Sequence, residues 1–249
     1  MVPTINELLE GNAYPGRGII LGRSEDGERS VAVYFIMGRS ENSRNRVFET
    51  TEDGIRTRAH DPAKLTDPSL VIYHPVRVVG DFLVVTNGDQ TDTIRDDFLN
   101  THGGKGGTHG GFRRALRTRR FEPDPPIYTP RISGVVEPNG SYTLSILKSA
   151  ADVPAPTDGT EPTCNRYFYE YSEPVNGVGH FIHTYSGATV NGTLESFVGE
   201  PKAVKIRLAH SLETFANQIW NALDHDNRIS LYAREFGPAG VQEVLINKY

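Results

Sequence analysis

The chain has 249 residues, 37% of them hydrophobic and 23% charged, with a net charge of -5 at pH 7. That composition supports a folded core and excludes wholesale disorder, while the acidic balance argues against a general nucleic-acid binder, which needs a basic face. A lone cysteine, Cys164, excludes an intramolecular disulfide, a cysteine zinc site and a Cys-x-x-Cys pair.

The amino-terminal residues 1–10 carry neither a basic n-region nor an apolar h-region, so they do not read as a signal peptide. No apolar stretch approaches the roughly 20 residues needed to span a bilayer. The expectation is a cytoplasmic protein with no membrane partner. Along the chain, Asp26-Gly27, Asn87-Gly88, Asn139-Gly140, Asn176-Gly177 and Asn191-Gly192 mark tight turns. Asn and Asp tolerate positive φ and Gly adopts it freely, as a type I′ hairpin turn requires. Residues 18–22 and 31–37 flank the first of these turns as strands. Residues 76–79 and 82–86 pair around Gly80-Asp81. Residues 132–136 and 142–147 flank Asn139-Gly140, and residues 168–171 and 180–185 flank Asn176-Gly177. Hairpins joined this way build antiparallel sheets.

Helical signals are fewer. Thr91 to Leu99 and Phe112 to Arg120 read as short amphipathic helices around a glycine-rich break, the second with five arginines. Ser211 can cap a helix running to about Asp224, with Leu212, Phe215, Ile219 and Leu223 on one face. Antiparallel strands with a segregated set of helices predict an α+β architecture. The soft segments 103–111 and 149–162 are too short to divide the chain, so one domain spanning 1–249 is expected.

Chemistry is first suggested by Arg39, Arg44 and Arg46, which crowd into the loop after the strand-like run 31–37. Guanidinium groups fork onto phosphate oxygens and keep their charge, so the cluster suits a small anionic ligand. A solvated charged turn explains the same residues. The stretch 101–111 imitates a phosphate loop, but Lys105 is followed by Gly106 rather than Ser or Thr. His102 and His109 on a glycine loop lack a rigid support for a metal, and no metal site is expected. Cys164 has no base partner in the sequence and reads as packing. His180 and His183 stand at odd spacing on a strand and face opposite sides, so they are not joint ligands.

Five elements in order carry a family resemblance: Gly16-Arg17; Asn45-Arg46; the segment from Tyr73 to Asp81 ending in Arg-Val-Val-Gly-Asp; Thr86-Asn-Gly88 with Thr91-Asp92; and Thr129-Pro-Arg-Ile132. Across roughly residues 14 to 200, the chain resembles the archaeal-type IMP cyclohydrolase family. The resemblance implies a four-layer α-β-β-α sandwich like that of the N-terminal nucleophile hydrolases, without an N-terminal nucleophile. It also implies closure of 5-formamidoimidazole-4-carboxamide ribotide to IMP with loss of water, by a homo-oligomer needing neither cofactor nor metal. The family's active-site arginine, tyrosine and glutamate match Arg46, Tyr73 and Glu122. Arg39, Arg44 and Arg131 are the candidates for the phosphate, and Asn87 and Asn165 for polar base edges. The glycine-rich stretch 103–111 looks like an insertion, and the tail after about residue 204 like an extension. Two other readings remain: a binding module for purine nucleotides or phosphate-sugars that has lost catalysis, and an amidohydrolase, against which the missing terminal nucleophile argues.

Overall fold

The computed structural model describes every residue except 66, 103–108, 151–158, 191 and 209–210. Six strands form one antiparallel sheet: Arg17–Arg23 (β1), Ser30–Met37 (β2), Val178–His183 (β10), Lys202–Lys205 (β13), Arg228–Gly237 (β14) and Gly240–Asn247 (β15). Their order is β13-β10-β1-β2-β14-β15. A second sheet runs as a consecutive antiparallel meander through Val47–Thr51 (β3), Gly54–Arg58 (β4), Val76–Val79 (β5), Phe82–Thr86 (β6), Arg131–Val136 (β7), Tyr142–Ser149 (β8) and Cys164–Tyr171 (β9). A short ribbon pairs Tyr185–Val190 (β11) with Thr193–Ser196 (β12). The helices are Ile5–Leu9 (α1), Glu41–Arg44 (α2), Gln90–His102 (α3), His109–Ala115 (α4) and Leu212–Ala222 (α5). The chain is α+β, with mostly antiparallel strands.

Strand alternation sorts the apolar residues into separate cores. Ile19 and Leu21 of β1 join Tyr34 and Ile36 of β2 and Ile132, Leu144 and Ile146 of the meander in one cluster between the sheets. Their neighbours Ile20, Val33 and Phe35 point the other way, onto Ile5 of α1 and Phe215 and Ile219 of α5. Across the meander, Val84, Val135 and Leu147 pack against Ile94 and Phe98 of α3 and Phe112 of α4. Each sheet therefore buries both faces, which is why β1, β2, β6 and β7 read as nearly unbroken apolar runs.

Three of the expected hairpins form, as β1–β2, β5–β6 and β7–β8. The one expected around Asn176-Gly177 does not. β9 is the edge of the meander, and β10 pairs with β1 in the other sheet. Gly177, at φ 73°, donates its N–H to the carbonyls of Arg23 and Ser24 at 3.1 Å each. The turn is thus docked on the end of β1 and hands the chain from one sheet to the other. The expected strand 180–185 also breaks at Thr184, whose hydroxyl accepts from Arg17 N and donates to the Pro15 carbonyl. The second short helix begins and ends earlier than expected, so Arg117, Arg119 and Arg120 lie beyond α4. Of the glycine-rich insertion, residues 103–108 lie outside the described residues. The segment expected as an extension supplies α5 to one core and β14 to the middle of the six-stranded sheet. No helix among the described residues is long and apolar enough to cross a membrane.

If the tail is integral, Ile219→Ala should destabilise the whole protein by about 2–5 kcal/mol, the usual cost of emptying a core site. Urea unfolding should then show one transition with a lowered midpoint; a detachable tail would leave the midpoint unmoved. A second expectation concerns acid. Burial holds both His180 and His183 down to about 4, whereas an unfolded histidine takes its proton near pH 6.5. Stability present above about pH 6.5 should therefore fall as pH drops toward 4. Urea midpoints measured across that range check this, and His183→Phe should flatten the fall.

Candidate active site

β1 and β2 extend the phase of the inter-sheet core into polar residues. Arg17 lies two positions before Ile19, and Tyr34 lies between Ala32 and Ile36, on the same strand faces. Tyr34 and Tyr73 share a buried hydroxyl–hydroxyl hydrogen bond of 2.8 Å. Tyr73 sits just ahead of β5 and is pinned there by Thr57 of β4. Thr57 Oγ1 accepts from Tyr73 N at 2.9 Å and donates to the Val71 carbonyl at 2.6 Å.

Arg46, fully buried, follows α2 and enters β3. Its Nε donates to the Ser43 carbonyl at 2.9 Å and its Nη2 reaches the Met37 carbonyl at 3.5 Å, which fixes the guanidinium plane. Its Nη1 has no hydrogen-bond partner, and neither does Nε of Arg17. Glu122 is 2% exposed and its carboxylate lies 3.6 Å from Arg17 Nη2.

The loop that presents Glu122 reads in sequence as a proline-stiffened linker but is closed on itself. Glu122 N donates to the Thr129 carbonyl at 2.8 Å. Asp124 accepts from Thr129 N at 2.7 Å and from the Thr129 hydroxyl at 2.5 Å. The Thr129 hydroxyl in turn lies 2.6 Å from the Tyr185 hydroxyl. Tyr185 stacks on Tyr14, with centroids 5.9 Å apart, and Arg39 covers the Tyr14 ring at 5.4 Å. A ladder of contacts thus runs from the exposed Arg39 inward to the loop that carries Glu122.

Electrostatics reinforce the grouping. Burial pushes the Glu122 carboxyl above its ordinary value, while Arg17, Arg131 and Arg46 pull against that rise. Burial likewise opposes the charge on Arg17, yet its pKa stays well above the ordinary value because Glu122 and the surrounding tyrosines favour the cation. Arg46 is lowered by burial, with Tyr73 opposing and Arg17 adding to the fall. Burial raises Tyr34 well above a free phenol, with Tyr73 adding to the rise, so it stays neutral. Two cations and one carboxylate are thus buried in mutual electrostatic reach with two phenols and two unpartnered N–H groups. Such a site has donors ready for an oxygen-rich ligand and one group placed to move a proton.

Arg46, Tyr73 and Glu122 are therefore brought together from the chain's distant segments, and Arg39 stands at the outer end of the ladder. Of the other expected residues, Arg131 also acts on Glu122 but is engaged by other partners, while Asn87, Arg44 and Asn165 fall elsewhere. Arg131 binds Asp89 at 2.7 Å and Gln90 Oε1 at 2.6 Å, beside the start of α3. Asn87 uses its amide within the protein: Nδ2 donates to the Pro130 carbonyl at 2.8 Å, and Oδ1 accepts from Ile132 N and Gln90 Nε2. Gly88 next to it leaves room for the Arg131 guanidinium, since a Cβ there would lie 2.1 Å from Nη1 and the side chain would have to shift. Arg44 donates to the Gly38 carbonyl and to Asn227 Oδ1, and lines a cleft of about 450 Å³ with Asn45, His60, Asp61 and Tyr249. Asn165 lies on the edge strand β9 and contacts only Tyr167 among hydrogen-bonding side chains, at 3.4 Å.

Arg17, Tyr34 and Tyr185 were missed as site residues. The signal for the first two was available, because a polar side chain in phase with a strand's buried face needs a partner there. Among the described residues, no group of three His, Cys, Asp or Glu side chains is placed to hold a metal ion.

Comparison with known proteins places the chain in a family. An archaeal protein named IMP cyclohydrolase, from Methanopyrus kandleri, is 40% identical over 83 residues, covering 33% of this chain and 40% of that protein. One of the same name from Methanococcus maripaludis is 30% identical over 132 residues, 52% of this chain and 61% of that protein. A third, from Methanococcus aeolicus, is 29% identical over 83 residues, 33% of this chain and 40% of that protein. In each case the chain spans less than two thirds of the relative's length. The profile of the family described as IMP cyclohydrolase-like protein matches residues 14–236, well past residue 204 and through most of β14. The chain belongs to the IMP cyclohydrolase-like family.

Proposed function

We propose that the protein closes the purine ring of 5-formamidoimidazole-4-carboxamide ribotide to give IMP and water. The observation that carries this reading is that Arg46, Tyr73 and Glu122 are all buried and are linked electrostatically to one another through Arg17. On the same reading the three apolar cores are the seams of a four-layer α-β-β-α sandwich, of the N-terminal nucleophile hydrolase kind, formed by a single domain.

The chemistry fits the residues. The carboxamide nitrogen attacks the formyl carbon on the same imidazole and gives up one proton as the C–N bond forms and the formyl oxygen becomes a hydroxyl. The C–O bond then breaks as the formamido nitrogen loses its proton, so a C=N bond closes the ring and water leaves with both protons. Holding both groups in a near-attack arrangement supplies much of the rate without a covalent intermediate. Arg46 Nη1, buried and without a partner, is the donor for the oxyanion that grows on the formyl oxygen. Tyr73, its hydroxyl held by Tyr34, hydrogen-bonds the same oxygen. Glu122 takes the proton from the carboxamide nitrogen and returns one to the departing hydroxyl; its raised pKa suits both directions of transfer. Arg39 binds the phosphate from outside, because it is the exposed cation on the ladder. No step calls for a metal or a cofactor.

Incubation of the purified protein with the formylated ribotide, with and without chelator, should yield IMP at equal rates, followed by absorbance and chromatography. Tight IMP binding without turnover would instead support the binding-module reading. Glu122→Gln should lower kcat by about 10²–10⁴-fold with little change in KM. In the native enzyme the acid limb of kcat should lie above pH 4.5, the ordinary carboxylate value, because a base must be ionised to act and this one has a raised pKa. Arg39→Ala should raise KM by roughly tenfold or more while sparing kcat, as expected for one charge-assisted hydrogen bond. Steady-state kinetics of the two variants separate these outcomes.

A further inference from the structure

The cluster holds a cation that the ring-closing chemistry does not use directly. Four charged groups act on the Glu122 carboxylate, Arg17 from β1, Arg131 from β7, Arg46 from the segment entering β3, and Asp124 from its own loop, and the neutral Tyr185 phenol of β11 interacts with it as well. Arg131 is already held by Asp89 and Gln90. Arg46 is oriented by two backbone carbonyls. Asp124 accepts two hydrogen bonds from Thr129. Arg17 differs from all three: among the described residues, Glu122 is its one ion-pair partner.

The separation of Arg17 Nη2 from the carboxylate, 3.6 Å, is longer than the 2.7–2.9 Å usual for a charge-assisted hydrogen bond. The pair therefore acts through charge rather than by donating a proton, and it leaves the carboxylate lone pairs open. The backbone of Arg17 is fixed on both sides of the residue. Its N–H donates to Thr184 Oγ1 at 3.1 Å, and its carbonyl accepts from Thr184 N at 3.0 Å. A rigid strand thus sets the distance between the two charges. At the preceding residue, Gly16, a Cβ would meet Thr184 Oγ1 at 2.3 Å and the Tyr185 ring at 2.5 Å, so nothing larger fits without moving the residue that holds the Arg17 backbone.

We propose that Arg17 is a positioning residue for ring closure, a fixed charge partner that keeps Glu122 able to accept a proton inside a pocket that would otherwise neutralise it. The proposal rests on the reading of Glu122 as the proton acceptor. It assigns a role to the Gly16-Arg17 pair, whose part in the site the sequence left open.

The test titrates Glu122 directly in the ligand-free protein, by ¹³C NMR of carboxyl-labelled glutamate, with the resonance assigned by its loss in Glu122→Gln. In Arg17→Gln the Glu122 midpoint should rise by about one to three pH units, the usual effect of removing an adjacent opposite charge. In Arg17→Lys, which keeps the charge, it should stay close to the native value. The acid limb of kcat should move with the midpoint in each variant. A residue that only packs would leave both unmoved, so an unchanged Glu122 midpoint in Arg17→Gln overturns the proposal. A shifted midpoint with an unmoved rate limb overturns the catalytic role. If the native protein forms no IMP, the functional reading fails, while the titration still decides whether Arg17 governs Glu122. Should Arg17→Gln not fold, the double variant Arg17→Gln/Glu122→Gln decides. It should regain a folding transition, because the carboxylate left buried without a partner has been removed. A double variant no more stable than the single one overturns the pairing.

Discussion

Burying two guanidinium groups and a carboxylate in reach of one another is the constraint around which this protein is arranged. A buried charge without a partner is unfavourable by several kcal/mol, and a second cation beside the first adds repulsion. Arg17, Arg46 and Glu122 meet that constraint at the end of the space between the two sheets, where strands stop and loops begin. The pair Arg17–Glu122 offsets one positive charge. Backbone carbonyls of Ser43 and Met37 take two of the donors of Arg46. What remains unmatched is one excess positive charge and two N–H groups, and both call for oxygen from a ligand.

The scaffold serves this pocket by rigidity. Arg17 and Tyr34 stand on paired strands, in register between Arg17 and Ile36 and between Ile19 and Tyr34, so their spacing follows from the sheet. Tyr73 is tied to β4 through Thr57, and Glu122 hangs from a loop closed by Asp124 and Thr129. Sites built on regular elements hold geometry better than sites on free loops. The loop that carries Glu122 is made stiff by its own hydrogen bonds. It contains a cis peptide bond between Pro125 and Pro126 and positive φ at Tyr128.

Several motif residues do support work beside the buried cluster. Arg77, in the segment ending Arg-Val-Val-Gly-Asp, bridges Asp53 and Asp92 and so joins the β3–β4 turn to the start of α3. Thr86 and Thr91 share a short hydroxyl–hydroxyl contact at the same corner. Asn87 and Gly88 settle Arg131, the first through the backbone of β7 and the second by leaving room for the guanidinium. A motif can therefore mark a site while most of its letters maintain the frame.

Periodicity and turn chemistry made much of this legible. Alternating and unbroken apolar runs gave the strands, Gly-containing turns gave three hairpins, and Ser211 with the spacing of Leu212, Phe215 and Ile219 gave α5. Those features are local, and local sequence states them. The pairing of β9 with the meander and β10 with β1 is not local. It depends on where the turn at Gly177 docks, on carbonyls more than 150 positions earlier in the chain. For the same reason the pairing of β14 with β2, about 200 positions apart in the chain, cannot be read from local pattern. The sequence by itself determined which residues form strands and helices and which ordered motifs to compare. Only the tertiary structure decided that Arg17 and Glu122 face each other, because their meeting is set by the packing of one sheet on another and not by anything within reach of either residue along the chain.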